Sequence, residues 1–387
     1  MLECQSAEFS LPPDHHYLNC AYMAPMPRRV ERVGNQAIAA KRAPAAIAPA
    51  DFFRHGELLR LAFAELIGAQ NAARVAIIPS ASYGLATAAK NLPIQRGETI
   101  ITLREQFPSN VYTWTRLARE SGASVLHVEP EAGPARGARW NQRVLESIDA
   151  KTAVVALPHV HWADGTLFDL ASIGRRCRDV GAALVIDGTQ SVGALPLDVT
   201  EIKPDALVCA GYKWLLGPYS IGLAWYGPRF DNGTPLEENW ISRKDSDDFA
   251  GLVRYQEEYG PGASRYDVGE RSNFILTPML LEAIGLLNQW GTAAIQSYCR
   301  DLALPIVEAA RELGFGVEDE AARGSHLFGL RLPAGMEPGP LKETLSQRNV
   351  SVSIRGDAIR VAPNVYNSHE DAQALVEGLR AHSSTFA

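Results

Sequence analysis

A chain of 387 residues is longer than a single hydrophobic core usually serves, so a large domain with a smaller companion is expected. With 46% hydrophobic and 21% charged residues it reads as an ordinary soluble globular protein, and a net charge of -7 spread along the chain gives no reason to expect nucleic acid or an anionic membrane as partner. The first ten residues lack a basic stretch leading into an apolar one, and no apolar run reaches membrane-spanning length, so a cytoplasmic location is expected.

The Ala-rich stretch from Gln36 to Ala50 is interrupted by Pro44 and Pro49 and reads as a helix end and loop. Strands are predicted at Arg74–Ile78, Thr99–Leu103, Ser124–Val128, Thr152–Leu157, Ala183–Ile186, Asp205–Cys209 and Ile221–Trp225. Helical spacing at Val111–Ser121, Trp140–Ile148 and Leu170–Val180 separates several of them, the alternation of a largely parallel, covered sheet. The last two strands are joined only by Gly211–Ser220, which favours an antiparallel pair and makes the seven-stranded sheet mixed. Composition then turns polar and irregular from Asp231 to Gly269. Long helices follow at Thr277–Trp290 and Thr292–Leu313, then strands at His326–Leu332, Val350–Ile354 and Ile359–Ala362 and a closing helix over Ser368–Ala381. The expected class is α/β with a smaller α+β C-terminal domain. Its division is a segment 1–30 lying with the small domain and the active site, a large domain 31–268 and a small domain 269–387. The five cysteines, Cys4, Cys20, Cys177, Cys209 and Cys299, are far apart and form no C-x-x-C pair, so reduced thiols are expected rather than a zinc site or a redox disulfide.

In Ala183-Leu-Val-Ile-Asp-Gly-Thr-Gln-Ser-Val-Gly193 an apolar strand ends in a carboxylate followed by small residues, at the kind of strand end where open α/β sheets carry their sites. Alone, Asp187 reads equally well as a cap on a following helix. Downstream, Cys209-Ala-Gly-Tyr-Lys-Trp-Leu-Leu-Gly-Pro218 sets Lys213 among aromatic, aliphatic and small neighbours, where lysine is uncommon. Alone, that lysine reads as one that snorkels to water.

Together the two residues fit one chemistry. Pyridoxal 5'-phosphate (PLP) requires a lysine amine for its Schiff base, with a pKa lowered by partial burial so that it acts as nucleophile and then as proton carrier. It also requires a carboxylate that keeps the pyridine nitrogen protonated, so that the ring accepts electrons from the substrate α-carbon. For the phosphate, Ile77–Lys90 reads as strand, small-residue turn and helix start, with backbone N–H groups around Ala81 and the Ser80 and Ser82 hydroxyls available to an anion. An ordinary Ser-capped helix would look the same.

These segments resemble the class V aminotransferase group of fold-type I PLP enzymes, which includes cysteine desulfurases, kynureninase and isopenicillin N epimerase-like proteins. The likeness extends over nearly the whole chain. Tyr17-Leu-Asn-Cys-Ala-Tyr22 resembles the substrate-side segment, including Ala21. Ser80-Ala-Ser-Tyr-Gly84 resembles the phosphate turn, and Gln106-Phe-Pro-Ser-Asn110 the ring-stacking segment. The resemblance implies an internal aldimine on Lys213, Asp187 at the pyridine nitrogen, Phe107 on the ring face, Gln190 at the ring oxygen and Tyr212 at the phosphate. His161 falls where relatives commonly place an asparagine, so it enters as a candidate for a catalytic role, with His159 behind it and a structural role as the alternative. Arg265–Asn273 resembles the segment by which a neighbouring subunit completes the phosphate site, which implies a homodimer with shared active sites. Gly269-Glu270 replaces the usual Gly-Thr there, so Asn273 is the candidate donor, with Ser272 behind it. Ile359–Ser368 resembles the segment whose arginine grips the substrate α-carboxylate, which nominates Arg360; an outward surface arginine is the alternative.

The reaction is less legible, because one electron sink supports transamination, racemisation and elimination. The leading expectation is an aminotransferase. The alternative is an epimerase or lyase of isopenicillin N epimerase or kynureninase type, suggested by Phe107-Pro-Ser-Asn110 and Ser272-Asn273. Desulfuration is disfavoured, because no cysteine occurs from Arg300 to Ala387; Cys20 is the one exception to weigh. A nicotinamide dehydrogenase is disfavoured by the absence of G-x-G-x-x-G after a strand, and a catalytically silent relative by the presence of both Lys213 and Asp187.

Overall fold

The computed structural model describes residues 2–384. Met1 and residues 385–387, the outer limits of the expected N-terminal segment and small domain, lie outside the described residues. In chain order the elements are β1 (His16–Tyr17), α1 (Arg28–Ala40), α2 (Asp51–Leu66), β2 (Val75–Ile78), α3 (Ala81–Asn91), β3 (Thr99–Leu103), α4 (Ser109–Ser121), β4 (Ser124–Val128), α5 (Arg136–Ser147), β5 (Thr152–Pro158), α6 (Leu170–Val180), β6 (Ala183–Asp187), α7 (Val199–Ile202), β7 (Ala206–Ala210) and β8 (Gly222–Tyr226). There follow α8 (Leu276–Trp290), α9 (Thr292–Glu312), β9 (Phe328–Arg331), α10 (Pro338–Ser346), β10 (Val350–Ser351), β11 (Ser353–Arg355), β12 (Ala358–Val361) and α11 (His369–Ser383).

All seven expected strands join one sheet, in the order β2-β8-β7-β6-β5-β3-β4. Only β8 runs against its neighbours, pairing antiparallel with β2 and with β7. The strict period of two along these strands explains the three-layer packing. In β6, Leu184 and Ile186 face a core shared with α2, α5, α6 and α8, while Ala183 and Val185 face a second core under α3 and α4. The sheet is thereby buried on both faces, as parallel strands require.

The small unit has its own core around β9, β12, α9, α10 and α11. Its sheet order is β11-β12-β9, all antiparallel. The expected strand over Val350–Ile354 is two pieces, because Val350–Ser351 pairs parallel with β1 instead. That pairing, with Leu18 in the small core, lays the N-terminal segment against the small unit. α8 packs with the large core through Leu280, Ala283, Ile284 and Leu287, whereas the small core begins at Ala303 inside α9. This supports a division within α9, further along the chain than the expected 268/269.

The irregular segment after β8 is tied back to the sheet by a buried carboxylate. Asp267 is fully buried, accepts from the Ile77 amide at 2.8 Å and forms ion pairs with Arg60 at 2.5 Å and Arg271 at 3.0 Å. Removing one partner of a buried charge cluster leaves the others uncompensated, at a cost of about 3–5 kcal/mol. Asp267→Asn is therefore expected to lower the urea unfolding midpoint by an amount corresponding to that range; a midpoint equal to that of the parent chain would refute the assignment.

Candidate active site

Lys213 sits on the loop that turns β7 into β8. The loop is tightly wound: Gly211 N–H donates to the Ile221 carbonyl at 2.9 Å, Leu216 N–H to the Lys213 carbonyl at 2.9 Å, and Leu216 and Ser220 hold left-handed backbone at φ 55° and 66°. Non-glycine residues seldom adopt that conformation unless the surroundings enforce it. Lys213 is 7% exposed and faces a cavity of about 280 Å³. Burial, then the nearby charge of Arg360, pulls its amine down to about 8, with Asp187 opposing. Its Nζ forms no ion pair among the described residues and lies 5.5 Å from the ring centres of both Phe107 and Tyr212.

Asp187 ends β6 on the same cavity. Its Oδ1 accepts from the Thr189 amide at 3.0 Å, and burial pushes its pKa up against the pull of Thr189 and Lys213. A cation placed against it would reverse that shift. The turn that follows packs directly on the lysine loop. Gly193 has φ 101°, and a Cβ there would collide with the Trp214 carbonyl oxygen, so only glycine is accommodated. Trp214 in turn donates through Nε1 to Gln190 Oε1 at 2.8 Å.

Ser80 caps α3, its hydroxyl accepting from the Tyr83 amide at 3.2 Å and lying 2.9 Å from Ser82 Oγ. The Ser-capped helix and the anion site thus coincide: Ser80, Ala81 and Ser82 line the same cavity as Lys213, with the first-turn N–H groups of α3 at its wall. Gln106 also lines it, and its Nε2 is buried with no hydrogen-bond partner. An amine, a carboxylate, an aromatic face, an orphaned amide donor and a helix N-terminus around one cavity fit PLP.

The expected residues do not all converge. Phe107, Gln190, Tyr212, Ser80, Ala81, Ser82, Asp187 and Lys213 line the cavity. Ala21 is adjacent, its carbonyl accepting from Gln190 Nε2 at 3.2 Å. His161 does not line it: the ring is fully buried, with Nδ1 3.0 Å from Asp164 Oδ1 and Nε2 3.1 Å from the Glu105 carbonyl. Both nitrogens are spent on a buried network in which Arg136 and Arg331 also bind Asp164, which sets His161, a candidate for a catalytic role, apart from the cavity. The next residue, Trp162, lines the cavity instead, edge-on to Phe107 at 5.5 Å. The relevant signal was a large aromatic immediately beyond a strand end. His159 is buried and held down to about 3 by desolvation, so it stays neutral, and it does not line the cavity either.

Arg360 is 1% exposed, not outward-facing. It donates from Nη1 to the Trp162 carbonyl at 2.8 Å, and its buried Nε has no partner. Burial and Arg355 pull it down to about 9, the condition of a cation lacking its anion. Asn273 uses Oδ1 to accept from the Ile275 and Leu276 amides at 3.1 and 2.8 Å, and lies on a neighbouring groove of about 1030 Å³ that shares Pro79, Ser220 and Ile221 with the Lys213 cavity. Ser272 is occupied by the Phe52 carbonyl at 2.5 Å.

The chain matches the aminotransferase class-V family model over residues 50–375. Among curated proteins it is similar to an uncharacterized aminotransferase, YcbU, of Bacillus subtilis, with 26% identity over 84% of this chain and 83% of that one. It is likewise similar to isopenicillin N epimerase of Streptomyces clavuligerus, with 25% identity over 94% of each. Among solved structures, the apo cysteine desulfurase of Thermococcus onnurineus superposes with a TM-score of 0.86 at 19% identity, covering 100% of this chain and 99% of that one, a likeness of fold. With a family match spanning most of its length and a cavity that fits the cofactor, the chain belongs to the class-V aminotransferase family of PLP-dependent enzymes.

Proposed function

We propose that the protein is an aminotransferase that takes the amino group of an α-amino acid. The observation that carries this is a buried, depressed lysine amine beside a buried arginine without an anion, Lys213 next to Arg360. PLP, when bound, supplies an electron sink for the bond broken at the substrate α-carbon. Lys213 would hold it and, with substrate bound, would hold or deliver a proton at the α-carbon. A lysine whose amine titrates near neutrality suits both tasks, since proton transfer is most effective when the carrier's pKa lies near the working pH. Asp187 would favour a positive charge on the ring nitrogen, the N-terminus of α3 with Ser80 and Ser82 would hold the phosphate, and Phe107 would cover the ring. Arg360 orients the substrate by its α-carboxylate.

A persulfide route through Cys20 is poorly supported. Cys20 is fully buried, accepts from Asn364 Nδ2 at 3.2 Å, and burial pushes its thiol up to about 12, so little nucleophilic thiolate is present. We also propose a homodimer seated on the groove that holds Asn273. Its wall is largely apolar, from α1, α2 and Phe274, and it adjoins the Lys213 cavity, so a second copy there would close both. No helix among the described residues is long and apolar enough to cross a membrane.

Three measurements test this reading. The rate at which apo-protein takes up PLP should rise with a midpoint near the Lys213 value of about 8 and then level off, because only the neutral amine attacks; a rate still climbing toward the ordinary lysine range near about 10.4 would contradict it. With an amino acid panel and no acceptor, the holoprotein should release one equivalent of keto acid, and Lys213→Ala should release none. Ammonia, alanine or a D-amino acid as product would favour the epimerase or lyase alternative and overturn transamination. Sedimentation of the holoprotein should give a dimer, and a stable monomer with full activity would remove the shared-site proposal.

A further inference from the structure

Other arginines close to the site have carboxylates. Arg136 pairs with Asp164 and Glu105, and Arg331 pairs with Asp164 and Asp357. Half-buried Arg355 and fully buried Arg360 differ: they form no ion pair among the described residues, and the Nε of each is buried without a hydrogen-bond partner. Arg355 donates only to the carbonyl of its own neighbour, Ile354, at 2.7 Å.

The two are neighbours by construction. β11 and β12 form a hairpin around Gly356-Asp357, with Ser353 opposite Arg360 and Arg355 opposite Ala358. Directly paired residues of antiparallel strands share a face, as do residues two apart, so Arg355 and Arg360 project from one face as diagonal neighbours. Both converge on Trp162, a wall of the Lys213 cavity: Arg360 binds its carbonyl, and the Arg355 guanidinium lies 5.3 Å from its ring centre. The carboxylate nearest in sequence, Asp357, is taken by Arg331 at 2.9 Å. Like charges this close repel, and burial adds to the cost, unless an anion from outside satisfies them.

We infer that Arg355 is a specificity-determining residue that binds a second acidic group, on the side chain of the amino acid whose α-carboxylate Arg360 holds. The substrate class is thereby an acidic amino acid. This rests on the reading of Arg360 given above. The Arg355 guanidinium over the Trp162 ring is held beside the cavity wall with its Nε still unpaired, and a planar guanidinium suits a carboxylate. Neutral side chains of the same length would fill the space and leave the donors unpaired.

Spectral titration of the holoenzyme with L-glutamate and with L-glutamine, nearly equal in size, isolates that charge. The parent protein should bind glutamate at least about tenfold more tightly than glutamine, the ratio one charge-assisted contact carries. Arg355→Gln should bring the ratio close to unity and Arg355→Lys should restore part of it. L-Aspartate and L-asparagine provide the same comparison for a shorter side chain. A parent protein that prefers glutamine and asparagine, or fails to discriminate in either pair, overturns the inference without any variant having to fold. So does Arg355→Gln if it weakens both members of each pair equally, because both arginines would then serve one carboxylate. A holoenzyme whose spectrum responds to no amino acid at all would instead sink the aminotransferase reading beneath it.

Discussion

The site depends on one contact, the close approach of the turn after β6 to the loop after β7. Gly193 lies against the Trp214 carbonyl where no side chain would fit, and the Trp214 indole donates to Gln190. Neither loop could be placed alone. The strand pair β6 and β7 brings their carboxyl ends together, and the glycine lets the two chains close, so that Asp187 and Lys213 face one cavity. Burial then acts on both at once: it raises the carboxylate and lowers the amine, and each partly offsets the shift of the other. A pair with those opposed displacements stores readiness for a cationic aromatic ring between them.

Much of this was legible in the sequence because it rests on local pattern. Apolar runs of strand length located all seven sheet strands, and the short Gly211–Ser220 link gave the antiparallel pairing of β7 and β8. That the Ser80–Ser82 turn, Asp187 and Lys213 belong together was legible because small-residue turns and misplaced charged residues stand out against an apolar background, and all of them line one cavity. What escaped was set by tertiary packing. His161 and Trp162 are adjacent, and only the network of Asp164, Arg136 and Arg331 decides which one turns inward. The place of α8 in the large core is likewise fixed by contact with α1 and α2, helices far away in sequence. Arg355 carried no local signal, since its meaning lies in carboxylates that other arginines have already claimed.

The relatives include an uncharacterized aminotransferase, an isopenicillin N epimerase and a kynureninase, so the scaffold alone does not select a reaction and the residues around the cavity carry the choice. In this chain the cavity wall is basic and aromatic, with Lys213, Phe107, Tyr212 and Trp162, and the Cys20 thiol is sealed off.

α9 runs without a break from one core to the other: Ile295 and Cys299 pack in the large unit, Ile306 and Ala310 in the small. Pro305 lies in between and supplies no N–H to the helical ladder. The helix is therefore weakest where it changes allegiance. Across the cleft, the bond from Arg360 to the Trp162 carbonyl links the small sheet to the segment that follows β5. The Gly329 amide and Arg331 bind Asp164 in the same segment, so a swing of the small unit on α9 would strain this set of bonds together, with the one from Arg360 among them.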